Sequence, residues 1–183
     1  MSRFMTAFCL AWFLVVGAAA GGRAEDEKKA DKDTKVAEGT EFKLTPVEVT
    51  PAEKPDGQGL YEATLKAAKE PTKVKMPKES WSLGFYPKTV KGGGVGVAES
   101  IEGAGLKHMR PVAGKDDEEG TWQADPDDVI THVNGYAVNT VEELLCALSL
   151  AKNKNDVQIV IKDVTTGKPT IFYVTATKKK SDE

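Results

Sequence analysis

The stretch Ser82-Leu83-Gly84-Phe85 could do chemistry through its backbone alone. An apolar–Gly–apolar turn that opens a strand aims successive N–H groups at one point. Such a concavity suits an anion, in particular the terminal carboxylate of a peptide. No other group of residues competes with it. His108 and His132, the only histidines, fall on different elements without metal-like spacing. Asp116-Asp117-Glu118-Glu119, with Asp125, Asp127 and Asp128, lack the alternating oxygen ligands around a fixed glycine that calcium loops use, and read as a solvated acidic loop. Gly92-Gly93-Gly94-Val95-Gly96 lacks the spacing, lysine and following helix of a phosphate loop, and reads as a hairpin turn. Ser82 lies in the turn, and no G-x-S-x-G elbow marks a nucleophile. The chain reads as non-enzymatic, with no metal and no cofactor.

The elements that must position the loop lie between a leader and a short tail. The chain has 183 residues and a formal net charge of −3. Without a basic stripe, nucleic acid is not an expected partner. Arg3 precedes an apolar run from Phe4 to about Ala20, and Gly22-Arg23-Ala24 supplies small residues before Glu25. Residues 1–24 therefore read as a signal peptide, or as a membrane anchor if uncleaved. Export to a periplasmic or extracellular space follows, with no membrane contact after cleavage. The mature chain would keep one cysteine, Cys146, inside an apolar helix pattern. It reads as a small buried hydrophobe, and no intramolecular disulfide is possible.

Residues 25–72 read as a flexible, charged and proline-rich leader. Within it, Phe42 to Val49 alternates like a strand, and Leu60 to Lys69 suggests a short amphipathic helix ended by Pro71. The leader would dock on the main domain or stay loose. From about Lys73 the pattern tightens. Val74 and Met76 suggest a first strand, Leu83 to Val90 a second interrupted at Pro87, and Val95 to Ile101 a third. Gly103 to Met109 allows one helical turn, and Pro111 to Asp127 reads as a surface loop. Val129 to Val133 is a fourth strand, turned by Asn134-Gly135. Thr140 and Glu143 form a capping box ahead of a helix with Val141, Leu144, Leu145 and Leu148 on one face. Lys152 and Lys154 follow at its negative end. Val157 to Lys162 and Thr170 to Thr177 read as a hairpin across Thr166-Gly167. The expected class is α+β: a small, partly open antiparallel barrel of five to six strands capped by two helices.

This order resembles a PDZ domain of the bacterial kind attached to exported serine proteases. The resemblance spans residues 73–179, with 180–183 as a tail. It rests on Ser82-Leu83-Gly84-Phe85, Gly103-Ala104-Gly105-Leu106, Asp128-Val129-Ile130, Val133-Asn134-Gly135, and Val138 with Thr140-Val141-Glu142-Glu143-Leu144. The resemblance implies that a peptide C-terminus adds as a strand between the second strand and the long helix. It further implies that the amides of Leu83, Gly84 and Phe85 hold the carboxylate, with Lys78 helping through water. Leu83, Phe85, Leu145 and Leu148 would line the pocket for the last side chain, and Val141 would face the residue two before it.

Two departures bear on this. Pro87 stands where the family's strand donates an N–H to the ligand, and proline has none. Asp127 replaces the glycine that usually precedes the aspartate of the fourth strand. The implied function is an exported module that captures C-terminal or extended peptide segments by strand addition. The alternatives are a structural interaction domain whose groove is degenerate or filled by its own chain, and an accessory or fragment of a serine-protease system.

Overall fold

The computed structural model describes residues 39–67, 70–79, 81–112 and 122–178. The expected signal peptide, the charged tether over 25–38, most of the acidic loop (113–121) and the tail lie outside the described residues. Among the described residues, no helix is long and apolar enough to cross a membrane.

The described residues are mostly β, with one α-helix. In order, the strands are β1 (Glu41–Pro51), β2 (Ala63–Ala67), β3 (Thr72–Lys75), β4 (Trp81–Ser82), β5 (Phe85–Thr89), β6 (Val95–Ser100) and β7 (Arg110–Pro111). β8 (Val129–Val133), β9 (Tyr136–Ala137), α1 (Val141–Ser149), β10 (Val157–Lys162), β11 (Pro169–Val174) and β12 (Thr177–Lys178) follow. The main antiparallel path, a half-barrel, runs β2-β1-β9-β8-β10-β11-β7. β3 also pairs with β1, the β5–β6 hairpin joins through β8, and β12 pairs with β4.

The helix expected over Leu60 to Lys69 is instead a strand, β2. Ala, Leu and Lys favour a helix locally, but propensity is a weak prior. Here β2 pairs with β1 from Val47↔Ala67 to Pro51↔Ala63, and Ala63 buries against Val160 and Ile171. Strands β2 and β3 run along β1 in succession, so β1, β2 and β3 form an N-terminal hairpin. β1 joins the main sheet through Thr45↔Ala137 and Pro46↔Tyr136, and Leu44 is fully buried in the main core. The segment expected as a leader thus belongs to the sheet. Its hairpin also gives Val160 an apolar neighbour on the second face of β10. This accounts for a strand that buries Val157, Ile159, Val160 and Ile161 together instead of alternating.

The second expected helix is a single 3-10 turn at Gly105–Lys107, too short to propagate. The long helix starts as expected. Thr140 Oγ1 accepts from Glu143 N–H at 3.2 Å. The return bond of the capping box goes elsewhere: Glu143 Oε2 accepts from Asn139 N–H at 2.7 Å. Asn134 and Gly135 both have positive φ (50° and 74°), the geometry of a two-residue hairpin turn between β8 and β9. Cys146 is fully buried, with Sγ 3.9 Å from Met76 Sδ, and burial pushes its thiol pKa up.

Candidate functional site

The loop between β4 and β5 is shaped by two inward carbonyls. Leu106 N–H donates to Leu83 O at 3.0 Å, and Ile101 N–H donates to Gly84 O at 2.8 Å. A trans peptide plane points its N–H opposite to its C=O. The amides of Gly84 and Phe85 therefore both face away from the body of the domain. Gly84 makes this possible with φ +73°, and a Cβ there would overlap the Ala104 methyl. Consecutive outward amides around a left-handed residue form an anion nest. Its present occupant is internal: Ser82 Oγ accepts from Gly84 N–H at 3.0 Å.

The strand beyond the loop is an edge. β5 pairs with β6 and with no other described strand. The Ile101–Gly84 bond makes Phe85↔Ser100 a non-hydrogen-bonded pair, so the polar groups of Phe85 face outward. A bulge then shifts the register between Tyr86 and Pro87. Val97, opposite Pro87, donates to Asp128 O and accepts from Asp127 N–H, both at 2.8 Å. Neither polar group of Val97 serves β5, so the nitrogen of Pro87 also faces the open edge. Proline has no N–H, so the open edge of β5 lacks a donor at position 87. β1, which would fill the groove in a self-closed domain, pairs with β2, β3 and β9 instead.

The expected pocket residues divide into a floor and a wall. Leu83, Phe85 and Leu148 share the main core, with 1%, 9% and 0% exposure. Leu83 and Leu148 are thus closed beneath the surface in this state. Val141 and Leu145 are half-buried on the same helix stripe, and Val141 packs against the core edge. Helix α1 lies against β1, β4 and β8. Lys78 is exposed, in the chain leading to β4.

Lys154 stands at the negative end of α1 as expected, with partners the sequence did not name, and a cleft escaped the sequence altogether. Lys154 Nζ donates to Leu148 O (2.6 Å), Ser149 O (3.0 Å) and Ala151 O (2.9 Å), and sits 5.1 Å from the Trp81 ring centroid. It caps the negative end of α1 beside the loop. Burial pushes its pKa down. Its position near the helix end hinted at the charge interaction, but three converging carbonyls are a tertiary fact. The cleft, of about 240 Å³, lies far along the chain from the loop, lined by Lys54, Asp56, Leu60, Glu62, Lys168 and Thr170 among others. It belongs to the tip of the N-terminal hairpin and to the turn before β11. Asp56 there already accepts from Gln58 and Leu60 N–H at 2.8 and 2.9 Å, and these bonds hold its pKa down.

No protein-family model matches the chain, and no curated protein matches it.

The corner before β8 carries the position where Asp127 replaces an expected glycine. Asp127 has φ +78°, a conformation that favours glycine, and its carboxylate pairs with Lys88. Asp128, 5% exposed, accepts from Asp125 N–H at 2.9 Å and Val164 N–H at 3.0 Å. Burial pushes its carboxyl pKa up; the two amides oppose this, and Asp163 and Asp125 add to the rise. The folded carboxyl holds its proton more tightly than the unfolded one. Its contribution to stability is therefore largest below the ordinary carboxylate range and falls as pH rises through the raised value. The stability of the natural chain relative to Asp128→Asn, read from urea midpoints, should decline as pH rises above the ordinary carboxylate range. A relative stability that grows as pH rises contradicts this account.

Among the described residues, no three His, Cys, Asp or Glu side chains cluster as metal ligands do. His132 is half-buried, with Nδ1 2.9 Å from Thr131 Oγ1, and burial lowers its pKa. It lies on β8, and His108 follows the 3-10 turn.

Proposed function

We propose that the chain is an exported, non-enzymatic, PDZ-like module that captures the free C-terminus of another polypeptide at the β4–β5 loop. The observation that carries this reading is the pair of outward amides at Gly84 and Phe85, leading into an edge strand that no described strand covers. Val141 and Leu145, half-buried on one stripe of α1, supply apolar surface on the helix that packs against β4, the strand leading into the loop. The left-handed backbone at Asp127, where the PDZ pattern has glycine, supports the resemblance. In this reading the ligand carboxylate displaces the Ser82 hydroxyl from Gly84 N–H. The amides of Leu83 and Phe85 and the charge of Lys78 assist, and the last side chain inserts above Leu83, Phe85 and Leu148.

Fluorescence polarisation against labelled peptides that end in apolar residues, with free and amidated C-termini, tests this. Free termini should bind at least about tenfold more tightly, since a carboxylate on two amides gains charge-assisted bonds worth about 1.5–3 kcal/mol. Equal binding of both forms contradicts carboxylate capture.

A second reading has its own observation. The closure of Leu83 and Leu148, with Ser82 on the Gly84 amide, favours a structural interaction domain with a silent groove. Absence of binding by any free C-terminus supports that reading.

A further inference from the structure

We propose that Pro87 confines capture to the extreme end of the ligand, so that this site takes chain termini and rejects internal extended segments. The inference rests on the C-terminal capture reading and sets its limits. An added antiparallel strand bonds alternate residues of its template, here the ones whose polar groups face outward. On β5 these are Phe85, Pro87 and Thr89, as the bonding of Gly84 and Val97 fixes. Phe85 offers an N–H and a C=O. Pro87 offers a C=O alone. The register shift at the same point leaves Ala98 of β6 without a partner on β5, so the irregularity lies on the neighbouring strand. Past Thr89 the chain turns through Gly92, Gly93 and Gly94, all with positive φ. The template next to the anion nest is thus one complete residue, Phe85, and the next complete one, Thr89, lies beyond the proline at the end of the strand.

Two consequences follow for the ligand. Its terminal carboxylate and last residues can be held by the nest and by Phe85. Residues further from the end meet a missing donor at Pro87 and add little. An internal segment has no carboxylate for the nest, and cannot recover the loss along the edge. The partner is therefore a polypeptide with an accessible free C-terminus.

The test is a length series of peptides sharing one C-terminal sequence, with apolar residues at the last and third-last positions. A tripeptide, a pentapeptide and an octapeptide, each N-acetylated, are titrated into the isotopically labelled full chain and followed by NMR. Dissociation constants should agree within about threefold across the series. In Pro87→Ala, the octapeptide should bind about two- to tenfold more tightly as one ladder bond returns, and the tripeptide should be unchanged. An octapeptide that binds the natural chain tenfold or more better than the tripeptide overturns the inference while leaving terminal capture intact. So does a Pro87→Ala variant with no gain for the octapeptide. If the amidated octapeptide binds as well as the free acid, or if no peptide of the series binds, the capture reading itself fails, and the inference with it.

Discussion

Replacing Gly84 by alanine is expected to cost about 3 kcal/mol of stability and to abolish peptide binding. Two separate effects combine. The backbone at position 84 has φ +73°, where an L-residue costs about 1–2 kcal/mol. The new methyl group would also overlap the Cβ of Ala104, and overpacking of this kind costs about 1–3 kcal/mol. The contact explains why a small residue stands at 104 and why the 3-10 turn can approach the loop. Urea denaturation measures the loss. The double variant Gly84→Ala, Ala104→Gly separates the two causes, because it removes the overlap and keeps the unfavourable φ. It should regain part of the loss, with clear non-additivity between touching residues. A Gly84→Ala chain as stable as the natural one would mean that the loop is not held in this conformation, and the outward amides would lose their physical basis.

Lys154→Met is expected to cost about 2 kcal/mol. Three carbonyl oxygens at the end of α1 converge on one ammonium, and hydrogen bonds to charged groups are worth about 1.5–3 kcal/mol where partners are left behind. Methionine keeps the apolar stem beside Trp81 and removes the donors, so the loss reports the cap and not the packing. Burial and the three acceptors act in opposite directions on the lysine. Burial disfavours the charge and lowers its pKa, while the carbonyls favour the ammonium. The variant should also weaken binding of peptide carboxylates several-fold, because the negative end of α1 would then act uncompensated beside the anion nest. Urea midpoints and peptide titrations read the two effects separately. Unchanged stability would show that water replaces the lysine without loss.

The parts of the fold governed by local pattern were legible in the sequence. The Thr140 cap, the Asn134-Gly135 turn and the strand over Val129–Val133 appear where the residues indicate them. Each rests on chemistry within a few residues. The N-terminal hairpin was less legible, because its evidence is long-range. Nothing between Leu60 and Lys69 says that β1 will pair with it, or that Ala63 will meet Val160 and Ile171. A run rich in Ala, Leu and Lys favours a helix until a partner strand overrides it. The helix cap changed in a similar way, with Asn139 taking the carboxylate of Glu143 that the capping-box pattern gives to Thr140.

The candidate site divides along the same line. Gly84 and Pro87 were readable because their backbone limits are intrinsic to the residue. The outward direction of Pro87 required the partners of Val97, two strands away in the hydrogen-bond network. The hold of Ser82 on the Gly84 amide and the burial of Leu83 and Leu148 depend on side-chain conformation and packing, which no spacing rule reaches.

The most direct measurement of the central claim is an amide-resolved NMR titration of the full chain with one apolar-ended pentapeptide, first as the free acid and then as the C-terminal amide. The account expects saturable shifts at the N–H resonances of Gly84 and Phe85 with the acid, and at least a tenfold weaker response with the amide. Gly84 and Phe85 resonances that stay still while the peptide binds elsewhere, or that move equally for both forms, would contradict it.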